Sequence, residues 1–198
     1  MKSGRIFGPL FAIALLAAWP AGASASTCHP SGSTLLRSNS QATVYRVDDA
    51  GGHNRYFGCF KPTGARTHIA TDRPGLSPVS LLRLRGHYTA FQIPGSETIK
   101  VVNLRNASRI RRDPTGLVSD LVVTRNGRFA WISFYHYHEV FWSSFATSDN
   151  HAIDSDSCSG YTPGNDCIRP DSLSPTGRHH DRQIAWRHDP HTRHFTIP

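Results

Sequence analysis

From Leu121 to Phe145 the chain reads LVVTRNGRFAWISFYHYHEVFWSSF, a run of apolar residues broken by two short polar stretches. Leu121–Thr124 is a β-rich run, Asn126-Gly127 marks a turn, and residues 128–134 form a second run. Within that second run Ala130, Ile132 and Phe134 fall on one face of a strand, and Phe129 and Trp131 on the other. A strand apolar on both faces requires packed neighbours on both sides, because neither face can be left to water. Tyr135–His138 reads as a connection and residues 139–145 as a third run. The unit is a meander of short antiparallel strands.

Weaker copies flank it. Residues 43–47 (TVYRV) and 55–60 (RYFGCF) enclose a Gly-rich hairpin loop, and residues 66–70 add a third strand. Residues 71–78, with two prolines and Gly75, form a linker. The next copy runs 80–84, 88–93 and 98–104, followed by 109–112. Its TIKVVNL segment is again two-sided, with Ile99 and Val101 opposite Val102 and Leu104. The last copy is looser: residues 168–171 lead in, 183–187 (QIAWR) form a strand, His188–His191 a turn, and 193–197 a closing strand. A shared phrase aligns the copies. Gly86 leads to Ala90-Phe91, Gly127 to Ala130-Trp131, and Gly177 to Ala185-Trp186. Phe91 and Trp131 stand 40 residues apart, and a period near 40 built of four short strands is that of propeller blades.

The N-terminus has a different character. Lys2 and Arg5 precede an apolar run, 6–19, followed by Pro20 and the small residues 21–25. This is the layout of a secretory signal cut after Ala25, with an apolar run too short to span a bilayer, which takes ~20 residues. The expected organisation is a signal peptide over 1–25, an irregular Ser/Thr-rich leader over 26–41, and one all-β repeat domain over 42–198. The destination is secreted or periplasmic, with no transmembrane segment after cleavage. Export makes the four cysteines candidates for disulfides, and four allow three pairings. Cys158 and Cys167 flank a loop with a Pro-Gly turn and form the local pair, which leaves Cys28 for Cys59.

The segments LSPTG…QIAWR, VVTRNGRFAWISF and LRGHYTAFQI…TIKVVNLRNA resemble degenerate WD40-like β-propeller repeats of exported bacterial proteins. In those repeats a Ser-Pro-Asp-Gly turn precedes an I-A-[FW] strand, and a V-V-x-L strand ends in a Gly turn. Here Thr176 takes the place of the Asp, and Ala107 stands where a Gly is expected. The resemblance implies a binding scaffold whose loops meet a partner, and it carries over no catalytic residue. Four units are near the lower limit of the ~4–8 blades of a propeller, so a partial ring and a two-sheet β-sandwich are the alternatives.

Motifs for chemistry are sparse. His138-Glu139 opens H-E-x-x-H, but Trp142 occupies the second ligand position on a strand-like segment. G-x-S-x-G, the P-loop and the dinucleotide glycine fingerprint are all missing, so no cofactor is expected. Asp154-Ser155-Asp156 echoes a calcium loop, with its glycine one place late and Asn165 where Glu belongs, and reads as a polar loop held by Cys158 and Cys167. His136 and His138, two apart, would point one way on a strand and could hold a metal with His151 or Asp154; the plain alternative is polar residues at a hairpin. His179, His180, His188, His191 and His194 crowd the C-terminal end as solvated surface and candidate anion contacts. Two function classes result. The favoured one is a non-catalytic exported interaction scaffold. The other is a secreted hydrolase or metal-binding protein using His138 with Glu139, or His151 with Asp154.

Charge sets the kind of partner. The formal net charge of +8 becomes 8 − 2 = +6 without Lys2 and Arg5, scattered along the chain except at Arg109-Arg111-Arg112. That favours an unidentified protein or an anionic surface or polymer as partner, and no dedicated nucleic-acid site. Protonation of all twelve histidines would raise the charge towards 6 + 12 = +18. Retention on heparin is therefore expected to be stronger at about pH 5 than at about pH 7.5, to weaken with salt, and to fall when the five C-terminal histidines become Gln. Equal retention at both pH values would refute it.

Overall fold

Two-sided strands need a sheet on each face, and the chain supplies them by stacking one meander against the next. The computed structural model describes residues 28–72, 79–93, 96–114, 116–147, 149–159, 165–176 and 182–198. These residues form four antiparallel sheets whose strands lie in chain order, with no helix among them. Sheet 1 holds β1 (Thr34–Ser38), β2 (Ala42–Asp48), β3 (Asn54–Phe60) and β4 (Ala65–Thr71). Sheet 2 holds β5 (Ser80–Arg85), β6 (Tyr88–Gln92), β7 (Ile99–Asn103) and β8 (Arg109–Arg112). Sheet 3 holds β9 (Leu117–Val123), β10 (Phe129–Phe134), β11 (His138–Ser143) and β12 (His151–Ser155). Sheet 4 holds β13 (Ser174–Thr176), β14 (Gln183–His188) and β15 (His191–Thr196). The first strands of neighbouring sheets touch, β1 with β5, β5 with β9, and β9 with β13. Each sheet is thus a propeller-like blade with its first strand innermost, and the β-sandwich alternative gives way to four separate sheets.

Three apolar clusters lie between successive sheets. Ala42, Val44, Tyr56 and Ile69 of sheet 1 meet Phe91, Val102 and Leu104 of sheet 2. Ala90, Ile99 and Val101 on the other face of sheet 2 meet Leu121, Val123, Phe129 and Trp131. Val122, Ala130, Ile132, Val140 and Trp142, on the far face of sheet 3, meet Ile184 and Trp186. Register explains the division: Ala130 lies between Val122 and Trp142, and Trp131 between Leu121 and Phe141, so adjacent residues of β10 serve opposite interfaces. Among the described residues no fourth cluster joins sheet 4 back to sheet 1.

The inner hairpin turns interlock as well. Gly86 and Gly127 adopt φ of 56° and 80°, the left-handed region that other residues enter at a cost. Asn39 of the β1–β2 turn donates its Nδ2 to the Gly86 carbonyl at 3.0 Å, and Gly127 abuts the ring of Tyr88 so closely that a Cβ would stand 2.5 Å from it. Each turn therefore seats on the preceding sheet. Ala107 also sits at φ 58°, so the left-handed turn is retained at the position where the repeat pattern has Gly.

Several expectations change. Thr34–Ser38, inside the leader read as irregular, is β1; only Leu36 is partly buried, against the cluster between sheets 1 and 2, and one such residue leaves little apolar signal. His151–Ser155, read as part of a polar loop, is the outer strand of sheet 3, where one ladder and mostly exposed side chains suit a polar sequence. Of residues 168–171 only Ile168 pairs, in a single bridge to His188. The disulfides join Cys28 to Cys59 and Cys158 to Cys167, with Cα separations of 5.5 and 6.0 Å. The signal segment, residues 73–78 of the 71–78 linker, Gly177, His179 and His180 lie outside the described residues.

Gly58 is where the first interface is tightest, since a Cβ there would meet Leu104 Cδ2 at 2.2 Å. Gly58→Ala is expected to cost about 1–3 kcal/mol by overpacking, and Leu104→Ala about 2–5 kcal/mol by leaving a cavity. The double variant should cost less than the sum, because the added methyl occupies the space the leucine vacates. Urea midpoints measure all three, and strict additivity would refute the shared volume.

Candidate functional site

In sheets 1 to 3 the residue directly after the outermost strand is an aspartate that turns back to the beginning of the third strand. Asp72 Oδ1 accepts the Asn54 backbone N–H at 2.7 Å, and Oδ2 accepts Asn54 Nδ2 at 2.8 Å and the Tyr56 hydroxyl at 2.9 Å. Asp156 Oδ1 accepts the His138 N–H at 2.9 Å and the Cys158 N–H at 3.1 Å, and Oδ2 accepts the Ile168 N–H at 2.7 Å. Asp72 and Asp156 return backbone N–H donations to the carbonyls of Asn54 and His138, each at 3.0 Å. Asp113 accepts the Thr98 hydroxyl at 2.7 Å. Burial pushes the Asp72 carboxyl up, but the bonds from Asn54 and Tyr56 outweigh it and hold it below the usual range. Thr98 and Arg111 lower Asp113. The sequence carried a signal for these clasps: 113 − 72 = 41 and 156 − 113 = 43, close to the strand period.

A second set of carboxylates ties sheets together. Asp120, on innermost β9, accepts from Arg83 Nη2 of sheet 2 at 3.0 Å and from the Leu121 and Leu173 backbone N–H at 2.8 and 2.9 Å. Burial raises its pKa above the usual carboxylate value, opposed by those three donors. Asp154, on outer β12, accepts from Trp186 Nε1 at 2.6 Å, His188 Nδ1 at 2.8 Å and Arg193 Nη1 at 3.1 Å, all from sheet 4. The other nitrogen of His188, Nε2, stands 3.2 Å from Asp166 Oδ1. His188 is therefore a buried tie between sheets, which corrects its reading as solvated, anion-contacting surface. His191 and His194 are exposed as expected.

The candidate metal residues part company. His138 is buried, its Nδ1 3.3 Å from Asp156 Oδ2 but outside hydrogen-bond alignment. His136 sits in the exposed hairpin turn with its ring edge-on to Tyr135, because the strand ends at Phe134 and the two-residue alternation does not extend through it. His151 stacks on Trp142 at the opposite end of β11 from His138. Among the described residues the one group of metal-type donors close together is Asp156, Cys158 and Cys167, whose sulfurs are joined in a disulfide. For the hydrolase pairs, His138 faces Asp156 in place of Glu139, and Asp154 is held by sheet 4 in place of His151.

The open polar surface that sequence reasoning missed lies on sheet 1. Asp49, His53, Arg55, Phe57, His68 and Thr71 line a cleft of about 510 Å³ on the face turned away from sheet 2. His68 donates or accepts at Thr71 Oγ1 across 2.8 Å, and burial, with the charges of Arg109, Arg55 and Lys100, lowers its pKa. No single residue type marks this place in the sequence, since its members come from two strands and a hairpin loop.

No family model matches the chain, and no curated protein matches it either. Solved structures do. The β-propeller domain of Cps50 (Swd1) from Myceliophteria thermophila is 10% identical, with 84% of this chain and 68% of that one covered at a TM-score of 0.37. Acylaminoacyl peptidase from Pyrococcus horikoshii is 12% identical over 82% of this chain and 32% of that one, at 0.47. A nidogen/laminin complex gives 14% identity over 74% and 52%, at 0.43. The chain spans about half or less of the length of the first of these neighbours.

The clasps give a signed pH dependence. Because the Asp72 pKa is depressed in the fold, its contribution is present above the unfolded carboxylate value and disappears as pH falls through the lower folded value. Asp72→Asn is expected to lower the urea midpoint at neutral pH, with the gap to wild type narrowing below about pH 4. A gap that is constant from neutral to acid would refute this.

Proposed function

We propose that the chain is a non-catalytic, exported binding scaffold of propeller-like repeats, as its likeness to exported WD40-like repeats implies. The observation that carries this reading is the use made of the histidine–carboxylate pairs. Asp156 closes an outer strand through the His138 backbone N–H with the His138 ring buried beside it, and His188–Asp154 joins two sheets; both rings are buried, and both ring nitrogens of His188 face carboxylates. A general base needs a nitrogen aimed at a substrate proton, and these rings are aimed at their own fold. The polar groups open to solvent lie on a sheet face and in loops, where a partner can meet them. Two disulfides accord with an oxidising destination, and no helix among the described residues is long and apolar enough to cross a membrane.

The test pairs binding with turnover. A panel of esters, phosphates and glycosides is expected to show no saturable hydrolysis, while the immobilised chain retains a reproducible partner from the native exported fraction. Saturable turnover that disappears in His188→Gln, with the melting curve still cooperative, would move the protein to the hydrolases.

A further inference from the structure

The outer face of sheet 1 carries a row of side chains in register across all four strands: Leu35, Tyr45, Phe57 and His68. The rings of Tyr45 and Phe57 stack at 5.6 Å, and His68 meets Phe57 edge-on at 5.4 Å. This row is covered at Tyr45. The Cys28–Cys59 bridge anchors the N-terminal segment on this face, the His29 ring lies 6.3 Å from Tyr45, and Tyr45 is only 2% exposed. Among the described residues the row is open on both sides of Tyr45: Leu35 is exposed at one end, and at the other Phe57 is half-buried and His68 exposed, where the cleft opens.

Charge around the cleft has one dominant sign. Arg55 lines it, and Arg109 stands at its rim with Nη2 bonded to the His68 carbonyl at 2.8 Å. Lys100 is near enough to act on His68. Asp49 is the single carboxylate, and it is engaged locally: Oδ1 accepts the Gly51 and His53 N–H groups at 2.9 and 3.0 Å, and Oδ2 faces Arg55 Nε at 3.3 Å. The terminal nitrogens of Arg55 have no protein acceptor among the described residues.

We propose that this cleft binds an acidic saccharide, with a pyranose ring laid on Phe57 and its carboxylate taken by Arg55. The chemistry fits in each part. An open, shallow cleft cannot enclose an apolar ligand, whereas a sugar keeps its outer hydroxyls in water. An aromatic ring half open to solvent offers a flat apolar floor for the C–H face of a pyranose. The guanidinium fork suits a carboxylate, and the hydroxyl of Thr71 and the ring of His53 offer partners for sugar hydroxyls. This deepens the scaffold reading and rests on it.

Isothermal titration of the full, disulfide-intact chain with a galacturonic acid trimer is the test, with the methyl-esterified trimer and a sulfated disaccharide as the other arms. Saturable one-to-one binding of the free acid is expected, weakened about tenfold or more by esterification, as the loss of a charge-assisted contact implies. Arg55→Gln with His68→Gln should weaken it by at least as much. Arg125→Gln with Arg169→Gln, which removes cations on other sheets, should leave it within about twofold. Superimposable melting curves establish that the variants fold. Absence of saturable binding, equal binding of the sulfated sugar, or equal loss in the control variant would each overturn the proposal, as would a Phe57-dependent self-association that occupies the face. Hydrolysis of the bound trimer would overturn the scaffold reading and leave the binding site intact, so the two failures are distinguishable.

Discussion

Everything in this molecule depends on burying both faces of its middle sheets. A strand such as FAWISF has nowhere to place Trp131 if Ile132 is packed, unless a second sheet arrives on the other side. One hairpin cannot meet that demand, and neither can one sheet. Successive meanders meet it by stacking, each supplying the cover its predecessor lacks. The small residues belong to the same constraint: Gly58 lets Leu104 approach the backbone of β3, and Gly127 lets a turn seat on Tyr88. Apolar area drives the stacking, and these positions set its spacing.

Stacked sheets must also dispose of polar groups where strands begin and end. The chain answers with one clasp carboxylate in each of the first three sheets. Asp72, Asp113 and Asp156 reach back to the start of a third strand, so an outer strand with a single ladder is held at its far end by side-chain bonds. Asp120 and Asp154 act between units, one near the axis and one at the periphery. The two cases differ in electrostatics. Asp72 is lowered because its donors outweigh burial, while Asp120 is raised because burial outweighs its donors. A carboxylate that gains from its setting and one that bears its cost thus serve the same architecture, and geometry, not charge alone, is what they share.

Much of the fold was legible because alternation with period two survives wherever a strand is packed on both sides. Ile99 and Val101 against Val102 and Leu104, and Ala130 against Trp131, told which residues would share a face, and the clusters follow that division. The signal fails at the edges. Strands β1 and β12 bury little and read as polar loop, and β12 was further disguised by the acidic residues that turned out to be its structural ligands. The candidate site was less legible. Histidine content drew attention to His136, His138 and His188, yet burial assigned two of these to the frame, and no local pattern separates an exposed histidine from one clamped between Asp154 and Asp166. Spacing was the better guide, since aspartates near the strand period are visible without knowing what they bind. The cleft on sheet 1 has no such periodicity, because only the first sheet presents that face.

The two ends of the stack show what happens when the constraint is relaxed. Sheet 4 turns outward a face carrying Gln183, Arg187, Thr192, His194 and Thr196, which water can satisfy. Sheet 1 cannot do this, since its outward row is Leu35, Tyr45, Phe57 and His68. A polar substitution of that row would have removed the difficulty. The chain instead folds its own N-terminal segment over Tyr45 and fixes it there through Cys28 and Cys59, leaving Phe57 half-buried and His68 exposed near Arg55, Arg109 and Lys100. A cover centred on Tyr45 is poorly explained by stability alone, because extending it over Phe57 would bury more apolar area. It is well explained if the open ring of Phe57 has something to hold.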